Sequence, residues 1–537
     1  MRLPRPSVAL ALALTGVLAD AGPSAAQPAV ATAVVAPPAA APAPVPPAAP
    51  DVAALDAYAA RAARDWRVPG LAVAVVAGDS VVLAKGYGVR ELGRPAPVDA
   101  HTRFAIGSTT KAMTVAALGM LVDEGKLRWD DPVTKYLPAF RLADAYVTRN
   151  VTVRDLLTHR TGLGNADLLW AVDDYPADEI VRRVGTLRLA YPFRSGFEYQ
   201  NIMYAVAGDV VRAASGVPWE TFLRTRIWTP LGMTETEPTL AAITGGANVA
   251  APHMAFGDTV RVIANGSADA VKAAGSVWSS VHDMARWTRF LLDSGRADGR
   301  RLLSDSTFRE IFSPQNVAPP STYPAVPAFV RPHFFLYGFG WFLEDYRGQA
   351  VAMHTGSVDG MSAIIGLVPD RRVGVYVLAN LDHAELRHAL MYTVFDAYGG
   401  MANAGGAPAR DWSADLRAFF AGRRAAALAA QQRQEARRTP NAPPSLALDR
   451  YAGSYADSTF GTVVVTARGG SLGLTIGRLR APALEHLRYD TFRARWDDPR
   501  ADPSPVVFQP DGAGGVAALR VFGVTFGRVG GGSSPTP

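Results

Sequence analysis

A cluster of prolines near residue 440 divides this chain into two unlike halves. Residues 410–438 form an Ala/Arg/Gln-rich stretch with helical character, and Pro440 to Pro444 end it. Proline has no N–H to donate, and its ring clashes with the preceding turn. Beyond it the texture changes to short strands punctuated by Gly and Asp: Thr462 to Thr466, Leu472 to Ile476, Val506 to Gln509 and Ala517 to Phe522. That pattern predicts a small all-β module. Upstream, from Asp51 to about residue 400, helical and strand patterns alternate without a fixed repeat. A chain of 537 residues exceeds what one core usually holds, so two folded units are expected. The boundaries read as 51–400 for the first unit, 401–444 for a helical connector, 445–530 for the β module and 531–537 for a disordered Gly/Ser/Pro tail.

The N-terminus reads as an export signal. Arg2 and Arg5 precede an apolar run, Val8 to Leu18, that is too short to span a bilayer. Ser24-Ala25-Ala26 offers small residues for cleavage, so residues 1–26 are expected to be a signal peptide. Residues 27–50, almost entirely Ala, Pro and Val, read as a semi-extended tether. The expected location is periplasmic or secreted, with no integral membrane span in the mature chain.

Composition narrows the chemistry. The chain has no cysteine, which excludes disulfides, thiol catalysis and Cys-ligated metals. A net charge of +6, scattered along the chain, implies no nucleic-acid partner. No His-Glu-x-x-His or His-x-His pair occurs, Gly86-Tyr87-Gly88 lacks the third glycine of a dinucleotide fingerprint, and there is no Walker A pattern. No metal and no cofactor is expected. Lysine is scarce, at Lys85, Lys111, Lys126, Lys135 and Lys272 only.

One of those lysines follows a serine by three residues, in Ser108-Thr109-Thr110-Lys111. The motif comes after Phe104-Ala105-Ile106-Gly107 and opens a run, Ala112 to Leu121, that reads as a buried helix. Residues i and i+3 share a helix face, so Ser108 and Lys111 can meet. A serine hydroxyl needs a base within hydrogen-bond reach, and a lysine kept neutral by burial supplies one. The same residues would also suit an ordinary helix start with Ser108 as N-cap. A second element is Tyr199-Gln200-Asn201. A tyrosine beside an ammonium can have a depressed pKa and move protons. A third is His354-Thr355-Gly356-Ser357, where glycine on a strand allows close approach to the backbone.

Together these three elements resemble the serine β-lactamase and penicillin-binding-protein superfamily, most closely its class C branch. That branch includes D-alanyl-D-alanine carboxypeptidases, D-aminopeptidases and esterases. The resemblance covers about residues 52–397. It extends to Val68-Pro-Gly-Leu-Ala-Val, Leu156-Leu-Thr-His-Arg-Thr-Gly-Leu163, Pro230-Leu-Gly-Met233, Ala274-Gly-Ser-Val-Trp-Ser279, Asp283-Met-Ala-Arg-Trp287 and Tyr337-Gly-Phe-Gly-Trp341. Tyr451-Ala-Gly-Ser-Tyr455 resembles the start of a small β-barrel domain often appended to these hydrolases.

The resemblance implies an α+β fold: an antiparallel sheet flanked by helices, with a helical subdomain, followed by a lipocalin-like all-β barrel. It implies Ser108 as the acylated nucleophile, Lys111 as its base or proton relay and Tyr199 as the group moving protons to the leaving group. Asn201, His354, Thr355, Gly356 and Ser357 would bind substrate, with the N–H groups of Ser108 and Ser357 as the oxyanion hole. Relatives that act on β-lactams usually carry Lys where this chain has His354. A histidine of ordinary pKa is mostly neutral at pH 7 and attracts an anionic β-lactam less well. This leans the reading toward an ester, or a D-amino-acid peptide or amide, as the small-molecule substrate. A β-lactamase, a D-Ala-D-Ala carboxypeptidase and a non-catalytic penicillin-recognising scaffold are the alternatives. The β module could cover the site, bind cell-wall material or mediate oligomers. His159 reads as structural in this frame.

Overall fold

The computed structural model describes residues 51–172, 175–399, 410–436 and 442–530. The expected signal peptide, tether, tail, parts of the connector and Pro440 lie outside the described residues.

An eight-stranded antiparallel sheet forms the first unit. From one edge to the other its strands are Ser80–Gly88, Gly70–Ala77, Val373–Ala379, Met361–Val368, Gln349–Val358, Phe342–Tyr346, Phe335–Tyr337 and Asn316–Val317. The first two make the hairpin expected across Gly78-Asp79. The chain thus starts the sheet, leaves it for a large helical insertion, and returns to complete it.

The central strands are apolar on both faces because both faces are covered. Side chains alternate across a strand. Leu71, Val73, Val75, Ile364, Val375 and Val377 enter one core, together with helices Val52–Asp65 and Leu386–Tyr398. Ala72, Ala74, Ile365, Tyr376 and Leu378 enter the other, which continues through helices Thr110–Asp123, Asn201–Ser215 and Val281–Leu292. Such strands read as continuous apolar runs rather than alternating ones. Burying each Val or Leu side chain contributes roughly 1.5–3 kcal/mol.

Thr110–Asp123 is the most enclosed helix near the sheet, and its residues from Thr110 to Leu121 are all buried. It therefore shows no polar stripe. The lysine at its second position is carried into the interior with it.

The C-terminal unit is a nine-stranded antiparallel sheet. Its middle contains Gly461–Arg468, Gly453–Asp457, Val524–Arg528 and Val516–Val521, so the first and last strands of the unit are neighbours. The edges are Leu479–Ala481 and Glu485–Arg488, which share no ladder among the described residues. The expected barrel takes the form of a half-barrel. Tyr451, Tyr455, Phe492 and Phe508 pack edge to face in its core. Among the described residues no helix is long and apolar enough to cross a membrane.

Close packing on the sheet makes a stability prediction. A Cβ on Gly374 would lie 2.4 Å from Thr288 Cγ2 of the covering helix. Gly374→Ala is expected to cost about 1–3 kcal/mol by overpacking. Urea unfolding would test it; an unchanged midpoint would show that this helix has room to retreat.

Candidate active site

Strand Phe104–Ala105 pairs with Trp278–Ser279 and delivers the chain into a tight turn, Gly107–Thr109, before the helix begins. Gly107 has φ +53°, a left-handed conformation that disfavours a side chain. Space forbids one too: a Cβ there would sit 2.5 Å from Ser357 N. Opposite, a Cβ on Gly356 would lie 1.9 Å from Ile106 O and 3.1 Å from Ser108 N. Two glycines thus let the serine turn and strand Gln349–Val358 touch backbone to backbone.

That strand is unusual in its pairing. Its ladder with Phe342–Tyr346 ends at Met353, whereas its ladder with Met361–Val368 runs on to Val358. The segment His354–Ser357 therefore has one edge outside the main ladder. The edge is held from behind by Arg387, which donates to Gly356 O at 2.8 Å and Ser357 Oγ at 3.0 Å. Glu385 accepts from the same guanidinium at 3.0 Å. Beside this edge lies a cavity of about 330 Å³ lined in part by Tyr323, Thr355, Ser357, Arg387 and His388.

Lys111 is fully buried. Its Nζ lies 3.0 Å from Ser108 Oγ, 2.7 Å from Asn201 Oδ1 and 2.9 Å from Ala274 O. Burial lowers its pKa to about 7, although the charge of Asp167 opposes the shift. Desolvation therefore wins over the carboxylate. A neutral amine has two N–H donors and one lone pair. The two acceptor-only neighbours, Asn201 Oδ1 and Ala274 O, take the two donors. The lone pair then faces the Ser108 hydroxyl. Asn201 cannot flip freely, because its Nδ2 donates to Asp167 Oδ2 at 2.9 Å.

The Tyr199 and Tyr204 rings lie 4.8 and 5.1 Å from Lys111 Nζ. The Tyr199 hydroxyl is buried without a formed hydrogen bond. Its pKa is pushed well above 10 by burial, with the nearby Ser108 side chain pulling the other way. This reverses the expectation of a depressed tyrosine pKa. The lysine is a weak cation at neutral pH, since the same burial that raises the tyrosine leaves much of the amine neutral.

His354 is 1% exposed and faces Tyr199, Tyr337 and Phe342. Its Nδ1 meets Thr355 O at 2.6 Å, which can only accept, so Nε2 accepts from the Tyr337 hydroxyl at 3.2 Å. Burial and the nearby Lys111 push its pKa down to about 3. Its neutrality is thus far more secure than its ordinary pKa implied. Thr355 Oγ1 is 2.8 Å from the Tyr323 hydroxyl, and Ser357 is exposed.

The structure brings together all eight residues singled out from the sequence. It adds three that sequence reasoning missed. Asp167 anchors Asn201, Arg387 backs the strand, and the Ala274 carbonyl accepts a hydrogen bond from Lys111. Ala274 lay in a block already noted, while Asp167 and Arg387 carry no local signal. His159, read as structural, accepts the Gln200 N–H at 3.0 Å and lies 4.3 Å from the Tyr199 ring. It sets the turn that leads into helix Asn201–Ser215. Elsewhere, ligand atoms of His101, Glu235 and His282 lie within 4.8 Å of one another. Glu235 there is already engaged by His101 and by the Ser280 hydroxyl, so the group is accounted for as a charge-paired cluster.

Comparison with known proteins agrees with this architecture. The beta-lactamase family model matches residues 55–398, and the chain belongs to that family. Residues 437–528 match a domain of unknown function, DUF3471. Among curated relatives, unguisins hydrolase ungD' of Aspergillus campestris is 30% identical over 404 residues, 73% of each chain. Penicillin-binding protein 4 of Amycolatopsis lactamdurans is 31% identical over 58% of this chain and 81% of its own. Among solved structures, the octameric penicillin-binding protein homologue from Pyrococcus abyssi is 21% identical with a TM-score of 0.58. That match covers 89% of this chain and 99% of the homologue. A D-stereospecific amidohydrolase from Streptomyces is 22% identical with a TM-score of 0.53, over 66% and 100%. The chain is accordingly a serine hydrolase of the β-lactamase-related kind.

The buried histidine gives a pH prediction. An unfolded histidine titrates near 6.5 and His354 near 3, so the fold favours its neutral form. Its contribution is present above pH 6.5 and is lost progressively as pH falls toward 3. His354→Gln should flatten this part of the stability–pH curve, measured by urea unfolding. A slope identical to the wild type would mean the imidazole is not what titrates.

Proposed function

We propose that this chain is an exported hydrolase that forms an acyl intermediate on Ser108 and cleaves esters or D-amino-acid amides. The observation that carries the reading is the placement of Lys111 Nζ, 3.0 Å from Ser108 Oγ with its other two neighbours able only to accept. Ser108 Oγ attacks the substrate carbonyl carbon while its proton passes to Lys111. The carbonyl oxygen takes the negative charge between the N–H groups of Ser108 and Ser357. Collapse breaks the ester or amide bond. The leaving group receives a proton from the Tyr199 hydroxyl, which is replenished from the Lys111 ammonium. Water then attacks the acyl-serine by the reverse relay.

Lys111, rather than Tyr199, is the base in the resting enzyme. A pKa near 7 leaves a large neutral fraction at neutral pH, whereas a tyrosine raised above 10 is almost never a phenolate. The substrate reading follows from charge. The position where a fixed cation would meet a β-lactam carboxylate is held by a neutral, buried His354. Arg387, which reaches Ser357 Oγ, is already paired with Glu385. The printed names of relatives, an unguisins hydrolase and a D-stereospecific amidohydrolase, support a peptide-like acyl group. The apolar run Val8 to Leu18 supports export to the periplasm or beyond.

Four outcomes test this. A fluorophosphonate probe should label the wild type once, at Ser108, and Ser108→Ala not at all. Lys111→Ala should lose on the order of 10²–10⁴ in kcat/KM as a general base is removed. In the wild type, kcat/KM should rise with pH through an apparent pKa near 7, because below it the lysine is protonated and cannot accept the serine proton. Short p-nitrophenyl esters and D-aminoacyl anilides should be turned over far better than nitrocefin. Nitrocefin as the preferred substrate would sink the charge argument for His354.

A further inference from the structure

The C-terminal sheet grips the helical insertion beside the site. Arg478, in the turn between strands Ser471–Ile476 and Leu479–Ala481, donates its backbone N–H to Val172 O at 3.1 Å. Its guanidinium donates to Ala171 O. These carbonyls end the one-turn helix Leu168–Ala171, where helical carbonyls lack intrahelical partners and a cation is favourable. Asp167 stands at the other end of the same turn. It accepts from Asn201 Nδ2 at 2.9 Å and from Trp170 Nε1 at 2.8 Å. One helical turn therefore joins the arginine of the β unit to the carboxylate that holds Asn201, and Asn201 holds Lys111. Two further contacts tie the same sheet down. Thr459 O accepts from Arg183 Nη1 at 3.1 Å. Arg500 pairs with Asp359 at 3.2 Å, two residues beyond Ser357.

We infer that Arg478 is a positioning residue for the acylation site: it fixes the Leu168–Ala171 turn so that Asp167 stays against Asn201, making the C-terminal half-barrel a working part of the hydrolase. The inference rests on the reading of Ser108 and Lys111 given above. The arginine touches neither substrate nor lysine, and acts through the helix turn. The groups facing Lys111 are the Tyr199 and Tyr204 rings, the neutral His159 and His354, and Asp167 behind Asn201. Asp167 is the one charged group among them, and its charge favours the ammonium. If it drifts away, burial is unopposed and the amine loses its proton more easily.

The test uses the full chain with an activated ester, comparing wild type, Arg478→Ala, Arg478→Lys, Asp167→Asn and the double variant. Arg478 is exposed, so its replacement should leave thermal unfolding nearly unchanged. Arg478→Ala should lower kcat roughly 10- to 100-fold at similar KM, the scale of a small misplacement of catalytic groups. It should also move the acid limb of the pH–rate profile to lower pH. Asp167→Asn should move that limb the same way, Arg478→Lys should restore part of the loss, and Arg478→Ala should add little in the Asp167→Asn background. An Arg478→Ala profile superimposable on the wild type, or fully additive losses in the double variant, overturns the inference. Fluorophosphonate labelling of wild-type Ser108 is scored separately, so a failure of the hydrolase reading itself is distinguishable.

Discussion

Removing a lysine amine from water organises this molecule. Lys111 is carried inside because it rides at the start of a helix that is apolar all round. In that position an ammonium is costly, and the amine settles near neutrality. Its hydrogen-bond partners suit a neutral amine: two acceptors for two protons and a hydroxyl in front of the lone pair. One carboxylate, held off by an asparagine, keeps the shift moderate. Full desolvation without Asp167 would drive the amine further down and weaken it as a base. The balance places its pKa where a base works best at neutral pH.

The sheet supplies the other half of the arrangement. Its central strands are sealed on both faces, so they cannot present polar groups to a substrate. Chemistry has to occur where pairing stops. Strand Gln349–Val358 loses one neighbour after Met353, and the edge beyond that ladder meets the serine turn at two glycines. Arg387 stiffens that edge from the opposite side. The N–H groups proposed as oxyanion donors thus lie where this edge meets the serine turn.

Much of the site was legible in local sequence. Ser108 and Lys111 are one helical turn apart, and a single helix suffices to bring them together. The hairpin Gly70–Gly88 and the four strands read in the C-terminal unit were visible for the same reason, since their patterns are local. Gly453–Asp457 and Val524–Arg528 were harder to see. Their pairing joins the start of that unit to its end, and short mixed runs carry little periodicity. Asp167, Arg387 and Arg478 were invisible because each acts through a partner tens to hundreds of residues away. Tyr199 shows the limit most clearly. Proximity to a lysine suggested a lowered pKa, but burial acts on both groups: it raises the tyrosine and weakens the charge on which that argument relied.

The sequence by itself determined which functional groups are available: one serine with a lysine a turn away, a tyrosine and asparagine two apart, a His354-Thr355-Gly356-Ser357 run, and a distinct β unit after the prolines. Those follow from covalent order and helical geometry, which need no tertiary contact. Only the tertiary structure decided the protonation states. Lys111 is neutral enough to be a base, Tyr199 stays protonated and His354 stays uncharged, because each state is set by how completely water is excluded. It alone also joined the β unit to the lysine, through an arginine, one helix turn, a carboxylate and an amide. Exclusion of water and contacts between distant segments exist only once the chain has closed around them.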